Sequence, residues 1–306
     1  MKKLIFFLIL LFLGFEIFVY KDDIYEYILL NFVFKDDFVY SEHNDYKLNY
    51  DFNYVQNTNS YKPKNKQDIL NIIYSGLNNG WTEFSYFCPI QYEDCIEDSK
   101  SITEDNSIVT YINNFVHPFN SFSTIKISIN NLGRITISVD KLYSDEDISL
   151  INAKVDEIYN QYITDAMGDM DKIKIIHDYI VNTTVYDVER ANNIQTPGYG
   201  NKYKSQSAYG VLFNGLGICG GYADTMSIFL NKMGIENYKV SSENHVWNLV
   251  KVDDKWLHLD LTWDDPVVNT HENLLLYNYF MVTTKQLFEL DTTQHTFNKT
   301  VFSEAS

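Results

Sequence analysis

The sequence predicts an α+β chain of helices and antiparallel hairpins, and three stretches of the chain carry this prediction. Residues 219–233 repeat apolar side chains at helical spacing. Residues 245–262 alternate apolar and polar side chains on both sides of a short acidic turn, as the two strands of a hairpin do. Residues 124–139 alternate in the same way around a turn rich in Asn and Gly. Helices and antiparallel strands that follow one another along one chain are typical of this class.

The composition limits the classes of partner. The chain has 306 residues, of which 45% are hydrophobic, so it is long enough to bury a sizeable core. Its formal net charge of −17 would repel a phosphate backbone, which argues against nucleic acid as a partner. An acidic surface is also the ordinary result of selection for solubility, so the charge alone identifies no cationic partner.

The N-terminal residues predict a membrane anchor or a signal segment. Two lysines precede an apolar run over residues 4–20, which Gly14 and Glu16 interrupt. As a helix the run would extend roughly 25 Å, the short limit for crossing a bilayer. No small-residue cleavage site follows it, which favours an uncleaved single-pass anchor over a cleaved signal. The charges that flank the run place the rest of the chain outside the cell, anchored to the membrane or, alternatively, secreted.

Four regions are predicted along the chain. They are residues 1–20, the anchor or signal segment; residues 21–64, a stalk or irregular lead-in; residues 65–143, a small α/β region with the hairpin at 124–139; and residues 144–306, the domain that holds the motifs described below. Within the second and third regions the clearest local patterns are a helix over 66–79, which Gly80 caps, and a strand over 81–87.

Two helices are predicted at the start of the last region, over residues 145–162 and 169–181. Ser144 and the acids that follow it are a typical beginning for the first helix. His177 has apolar neighbours on the second helix, which favours a packed or hydrogen-bonded histidine over a functional one. Residues 187–205 show no period and predict a long surface loop, which beside a catalytic segment is often a lid or a substrate wall.

Three cysteines cannot all be paired. Cys88 and Cys95 are close enough in sequence for a disulfide in an oxidising compartment, but two free buried thiols are an equal alternative. In either case Cys219 is the cysteine that is left without a disulfide partner.

Cys219 stands at the start of its predicted helix. The positive end of the helix dipole favours a thiolate there, and the backbone N–H groups can hold a developing oxyanion. Gly220 and Gly221 leave room for another backbone or for a substrate, so we assign them as candidate substrate-binding residues. The alternative is that Cys219 is a small buried hydrophobic residue, as free cysteines often are.

The turn of the hairpin over residues 245–262 decides which side chains share a face. A two-residue turn at Asp253-Asp254 makes Val252 face Lys255. One face of the hairpin then becomes almost purely apolar, which supports this register. The apolar face carries Val246, Val250, Val252, Leu257, Leu259 and Leu261, and the other face carries His245, Trp247, Trp256, His258 and Asp260.

This register brings an imidazole and a carboxylate together. Trp247 faces Asp260, and His245 lies one diagonal step from Asp260, a separation that the two side chains can bridge. Asp260 can accept a hydrogen bond from one ring nitrogen of His245 and leave the other nitrogen for the Cys219 thiol. A thiol, an imidazole and a carboxylate in these settings are the groups of a cysteine nucleophile with its base and orienting acid.

Several alternatives accompany this assignment. His258 shares the face and could be the base instead, although it lacks the diagonal position opposite Asp260. A Cys/His/Asp zinc site lacks the CxxC or HxxxH spacing, so we expect no metal. Trp247 and Trp263 could be core residues or a dry wall beside the sulfur, and we assign both as candidate substrate-binding residues. Asp264-Asp265 before Pro266 predicts a turn.

Three motifs in this order, with fifteen residues from His245 to Asp260, resemble the transglutaminase-like superfamily, in particular its bacterial secreted or membrane-attached members. The motifs are Gly217-x-Cys219-x-Gly221-Tyr222-Ala223, His245-Val246-Trp247-Asn248, and Leu259-Asp260-x-Thr262-Trp263-Asp264-Asp265-Pro266. The resemblance covers about residues 145–295.

The resemblance implies a papain-like α+β core, with the cysteine on a helix packed against an antiparallel sheet. It implies Cys219 as nucleophile, His245 as general base and acid, and Asp260 as the residue that orients His245, without a cofactor. Members of the superfamily cross-link Gln to Lys, deamidate, cleave peptides or remove glycans, and some are inactive. We therefore expect an acyl-transfer enzyme, transglutaminase or cysteine protease/amidase, acting on protein or peptide amides at the cell surface. The alternative is a non-catalytic surface-binding or assembly module.

Overall fold

A computed structural model describes residues 2–28, 44–130, 132–193, 203–267 and 274–305. The helices are α1 (Lys2–Val19), α2 (Lys21–Ile28), α3 (Lys66–Asn78), α4 (Cys95–Glu104), α5 (Asn106–Asn114), α6 (Asp145–Tyr162), α7 (Asp169–Thr183), α8 (Val188–Asn192), α9 (Cys219–Lys232), α10 (Leu261–Asp264) and α11 (Thr284–Leu290). The strands are β1 (Glu83–Phe87), β2 (Phe122–Ile129), β3 (Arg134–Lys141), β4 (Val185–Tyr186), β5 (Leu216–Gly217), β6 (Asn237–Ser241), β7 (Val246–Val252) and β8 (Lys255–Leu259).

The sheet that carries the candidate site is antiparallel, with strand order β6-β7-β8. Val252 pairs with Lys255, so the predicted two-residue turn is confirmed. Both turn residues, Asp253 and Asp254, have left-handed backbones, with φ of 49° and 58°. Two successive positive φ angles give a turn whose twist matches the strands, and Asp tolerates this conformation better than most residues. The confirmed register also places the side chains on the two faces of the hairpin as predicted, with His245 and Asp260 on one face and the mostly apolar set on the other.

Each face of this sheet covers a separate core. Helix α9 lies on the apolar face, where its Phe229 and Leu230 share a cluster of buried residues with Val250 and Leu259. Helices α6 and α7 pack into the same cluster, and their predicted bounds are confirmed within two residues. The mixed helix and sheet architecture, with the Cys219 helix on an antiparallel sheet, agrees with the predicted fold class.

The opposite face packs against the N-terminal half of the chain. Trp247 and Leu249 share a second cluster of buried residues with side chains from residues 48–139, and Phe115 lies near its centre. A three-stranded sheet of order β1-β3-β2 contributes to this cluster, and its predicted hairpin is confirmed. One face of that hairpin is buried, as its alternation indicates, and Ile135 and Ile137 are inaccessible to solvent.

The lead-in to this half is irregular but packed. Residues 44–65 form no helix or strand, yet Leu48, Phe52 and Val55 are buried in the core. An apolar side chain that is removed from water in this way holds its segment against the fold, so residues 44–65 do not extend as a stalk. Cys88 and Cys95 form a disulfide, which resolves the alternative that the sequence left open.

The N-terminal apolar run forms helix α1, and its side chains from Ile5 onward are almost all exposed. Within the described ranges no helix combines the length and the apolar character that a membrane crossing requires. The membrane anchor predicted over residues 4–20 is therefore not confirmed. Of the loop predicted over 187–205, residues 188–192 are helical and residues 194–202 lie outside the described part.

Candidate active site

The position of Cys219 is fixed by the segment that leads into α9. Strands β4 and β5 pair in parallel, so that Tyr186 lies opposite Gly217. The amide of Ile218 donates to the Ser205 carbonyl over 2.8 Å and ends this extended segment, after which the helix begins. Cys219 is half-buried and is the free thiol of the chain, because the other two cysteines are paired.

The two glycines after Cys219 face the chain's own backbone. A Cβ atom at Gly221 would lie 2.4 Å from the Ser205 carbonyl oxygen, and one at Gly220 would lie 3.2 Å from the Gln206 carbonyl oxygen. Residues 205–207 therefore fill the space that the sequence assigned to another backbone or to a substrate. This packing favours the first alternative, and the assignment of Gly220 and Gly221 as substrate-binding residues stays a prediction.

The structure brings His245 and Asp260 together, as the hairpin register predicts. His245 Nε2 lies 2.5 Å from Asp260 Oδ2, and both side chains are buried. Cys219 lies close enough to the same His245 ring for its thiol to raise the pKa of that histidine. Because Nε2 faces the carboxylate, Nδ1 is the nitrogen left for the thiol. All three predicted residues thus meet at one end of the sheet, although Cys219 comes from the helix on the opposite face.

The carboxylate of Asp260 is held from two sides. Asp260 caps the N-terminus of α10, where its Oδ1 accepts from the amides of Thr262 and Trp263 over 2.9 and 3.3 Å. A carboxylate at this position satisfies amides that the helix itself leaves unpaired, and it is favoured by the helix dipole. The sequence Asp-Leu-Thr-Trp after the strand therefore orients the acid locally, and Oδ2 is directed to His245.

The pair is electrostatically coupled. Burial by itself lowers the pKa of His245, but the Asp260 carboxylate and the Cys219 thiol more than offset this and raise it to about 10. Burial by itself raises the pKa of Asp260, but the rings of His245 and His295 hold it well below its usual range. The site therefore favours a protonated imidazole beside an ionised carboxylate.

His295 is a site residue that the sequence interpretation missed. Its Nε2 lies 2.9 Å from Asp260 Oδ2, and its Nδ1 lies 2.9 Å from Asp291 Oδ2. The ring is completely buried between Trp263 at 4.9 Å and Tyr279 at 5.0 Å, measured between centroids. The available signal was weak: an acid and a histidine four residues apart, at the end of the segment over which the family resemblance extends.

His258, the alternative base, is engaged elsewhere. Trp247 Nε1 donates to His258 Nδ1 over 2.9 Å, and His258 Nε2 lies 3.0 Å from Thr284 Oγ1. Burial, reinforced by the charge of His295, lowers the pKa of His258 to about 3. A ring with both nitrogens occupied and a neutral charge cannot serve the thiol, so the preference for His245 is supported.

The two tryptophans assigned as substrate-binding differ in exposure. Trp247 is 1% exposed and stacks on His245 with ring centroids 5.5 Å apart. It therefore packs behind the imidazole, and this burial does not support its assignment as a substrate-binding residue, which stays a prediction. Trp263 is half-buried, with its ring centroid 6.4 Å from that of His245, and its assignment as a substrate-binding residue stays a prediction.

Asp264 and Asp265 are buried partners rather than a simple turn. Asp264 Oδ2 lies 3.2 Å from His177 Nε2, and its Oδ1 accepts from the Tyr279 amide over 2.9 Å. Tyr222 donates its hydroxyl to Asp265 over 2.5 Å. These bonds tie α7 and α9 to the segment after Asp260, and they confirm the hydrogen-bonded interpretation of His177.

One group in the described part of the chain has the composition of a metal site. Ligand atoms of His245, Asp260 and His295 lie within 4.8 Å of one another. The two ring nitrogens, however, bond directly to a single carboxylate oxygen at 2.5 and 2.9 Å. Ligands at about 2 Å from a tetrahedral ion stand roughly 3.3 Å apart, so these atoms would have to separate before an ion could enter.

The comparisons with known proteins agree with the resemblance. Residues 156–261 match the family model described as the transglutaminase-like superfamily. No curated protein matches the chain. One similar solved structure is a TGase, with 19% identity, a TM-score of 0.35, and coverage of 57% of this chain and 50% of that one.

A second similar structure is described as a candidate cysteine protease from Cytophaga hutchinsonii, with 13% identity, a TM-score of 0.27, and coverage of 45% and 61%. The chain thus spans about half to three fifths of the length of these proteins. The residues of the family match include Cys219, His245 and Asp260. Over residues 156–261, about a third of its length, the chain is thus similar to the transglutaminase-like superfamily.

Proposed function

We propose that the chain is a cysteine enzyme that transfers acyl groups from protein or peptide amides, with Cys219 as nucleophile, His245 as base and acid, and Asp260 as the orienting carboxylate. One observation carries the proposal. The His245 ring bonds Asp260 through Nε2, and Cys219 lies close enough to the same ring to raise its pKa. This is the arrangement by which a thiol is activated for attack on a carbonyl.

The reaction begins with the proton already on His245, since the site favours the protonated imidazole. The Cys219 sulfur attacks the carbonyl carbon of the amide as a thiolate. The tetrahedral intermediate collapses when the C–N bond breaks and His245 returns the proton to the leaving amine. The resulting thioester is resolved by a second amine or by water, and His245 accepts the proton of that incoming nucleophile.

The start of α9 offers donors for the oxyanion of the intermediate. Among the described residues, neither the Cys219 nor the Gly220 amide donates to a backbone carbonyl. Unpaired amides at a helix N-terminus are suited to a negative charge that develops near them.

Whether an amine or water resolves the thioester depends on how well the occupied site excludes water. Action at the cell surface is supported by the Cys88–Cys95 disulfide, because structural disulfides persist mainly in oxidising compartments. Attachment to the membrane through residues 4–20 stays a prediction.

The test uses two probes side by side. The protein is incubated with a glutamine peptide in the presence and absence of a labelled primary amine, and mass spectrometry distinguishes amine incorporation from hydrolysis. We expect the wild type to give at least one of these products and Cys219→Ala to give neither, since the nucleophile is gone.

The matched control is the double variant Cys88→Ser/Cys95→Ser, which removes the other two sulfur atoms and leaves Cys219 in place. It should retain the reaction. Full activity of Cys219→Ala in either assay would refute the proposed mechanism. A wild-type Cys219 that reacts with iodoacetamide no faster than it does in the unfolded chain would favour the non-catalytic module instead.

A further inference from the structure

The His295 ring lies between two carboxylates. Its Nε2 is 2.9 Å from Asp260 Oδ2, and its Nδ1 is 2.9 Å from Asp291 Oδ2. Asp291 is itself fixed, because it also accepts from the amides of Thr293 and Gln294. The side chain that touches the proposed triad from behind is thus held by a second, independently anchored acid.

With His295 in place, Asp260 has a donor at every side of its carboxylate. Oδ1 accepts from two amides of α10, and Oδ2 accepts from the rings of His245 and His295. Four donors in fixed directions leave the carboxylate one orientation. Without His295, Oδ2 would keep a single donor, and that donor is the ring that takes part in the proposed proton transfers.

The surroundings exclude water as a substitute donor. His295 has no exposed surface, and Asp260 is 1% exposed. Aromatic rings enclose the imidazole: Trp247 and Trp263 at 4.9 Å and Tyr279, nearly parallel to it, at 5.0 Å. An acceptor in such an enclosure depends on the protein for its hydrogen bonds, since an unsatisfied one is costly.

The same contacts determine how charge is distributed. Two carboxylates, Asp260 and Asp291, lie against two rings, His245 and His295. The negative charge of Asp260 is shared between two donors, and the cation formed on His245 is balanced within the buried cluster.

We propose that His295 is a positioning residue for the reaction: it holds the Asp260 carboxylate ionised and in one orientation behind His245, and Asp291 holds His295. The proposal rests on the proposed function, because it gives His295 its effect through the thiol and imidazole named there. It extends the predicted triad by a residue from the C-terminal segment, thirty-five positions after Asp260.

Two amide variants test it, because each replaces one ring nitrogen. The amide nitrogen of Gln can occupy the place of Nε2 and still donate to Asp260, whereas that of Asn occupies the place of Nδ1 and faces Asp291. The measurement is the rate of alkylation of Cys219 by iodoacetamide between about pH 5 and pH 9, since the thiolate is the reacting form.

We expect His295→Asn to slow alkylation near neutral pH by about 10- to 100-fold, the effect of losing a hydrogen bond to a charged group. The rise of the rate with pH should also move to higher pH, because a less stabilised Asp260 supports the His245 cation less well. His295→Gln should recover most of the rate. Asp291→Asn should also slow alkylation and move its rise to higher pH, but by less than His295→Asn does.

The proposal would be overturned if the wild type and His295→Asn had the same dependence of the Cys219 alkylation rate on pH. It would also be overturned if His295→Asn and His295→Gln slowed alkylation equally. Thermal melts show whether each variant is folded, and if His295→Asn is not, Asp291→Asn compared with the wild type decides. If the wild-type thiol itself reacts no faster than it does in the unfolded chain, the proposed function fails, and this inference fails with it.

Discussion

His245 and Asp260 share a hydrogen bond in a place that solvent does not reach, so their protonation is linked to folding. The raised pKa of His245 contributes stability that is complete below about pH 6.5 and is lost as pH rises through about 10. The depressed pKa of Asp260 contributes stability that is complete above about pH 4 and is lost in stronger acid. Both contributions are present together between these limits.

We therefore expect Asp260→Asn to destabilise the protein by about 3–5 kcal/mol near pH 6, because one partner of a buried pair is removed. The loss should be smaller at pH 9, where the wild type has already begun to lose the contribution of His245. Urea unfolding at the two pH values measures this. The control Asp165→Asn, at an exposed position, should change the free energy of unfolding little at either pH. If the destabilisation by Asp260→Asn were larger at pH 9 than at pH 6, the proposed linkage would be contradicted.

The residues of the site differ in how far the sequence could predict them. His245 and Asp260 lie on one hairpin, whose alternation and turn fix a register, so their contact was predictable. Cys219 comes from a helix on the other face of the sheet, and its contact with His245 followed from the family resemblance alone. His295 lies in an irregular segment without a period, so no pattern of spacing could bring it to Asp260.

At the scale of single elements, the start of α9 depends on how closely another segment of backbone approaches it. Gly221 meets the Ser205 carbonyl oxygen and Gly220 meets the Gln206 carbonyl oxygen, at 2.4 and 3.2 Å from an added Cβ. The same bond that ends the lead-in, from Ile218 to Ser205, holds the two segments together. The helix cannot move away from residues 205–207 without moving the thiol.

Gly221→Ala should therefore destabilise the fold by about 1–3 kcal/mol or more, and it should slow alkylation of Cys219 as the helix start shifts. Gly220→Ala is the matched control: its contact is looser, and about 1 kcal/mol of helix propensity offsets it. Chemical denaturation and alkylation rates compare the two. Equal stability of both variants would show that the approach of Ser205 does not limit the helix.

The elements themselves were largely predictable. Helices α3, α6, α7 and α9 and both hairpins have periods that a single buried face imposes, and their bounds agree closely with prediction. The packing of residues 44–65 could not be predicted. An irregular segment buries apolar side chains at no regular spacing, so the sequence shows no pattern that marks the buried positions. The predicted domain boundaries stay predictions, since alternation and helical periods describe elements and not the way they assemble.

At the scale of the whole molecule, the N-terminal half and the sheet of the candidate site share one core. Phe115 lies 4.9 Å from Phe52, 4.8 Å from Tyr238 and 5.7 Å from Phe302, measured between ring centroids. These rings come from the lead-in, the site's own sheet and the C-terminal segment. A core built from such distant parts of the sequence couples their stability.

We expect Phe115→Ala to lower the free energy of unfolding by about 3–5 kcal/mol, and unfolding to remain a single transition. Circular dichroism and tryptophan fluorescence, followed together in urea, should give coincident curves. Phe213→Ala is the control with the same truncation at an exposed position, and it should cost far less. Two separate transitions would mean that the halves fold independently.

The segment over residues 291–305 has a consequence for when the proposed reaction could first take place. Its Glu304 accepts from the Asn53 amide, a contact that joins positions 251 residues apart, and its His295 touches Asp260. Contacts between such distant residues form late, because a long stretch of chain must be ordered first. A chain still on the ribosome at residue 290 lacks both contacts, so its thiol chemistry would wait until the residues that follow have been added. Such timing would spare the proteins of the compartment in which the chain is made.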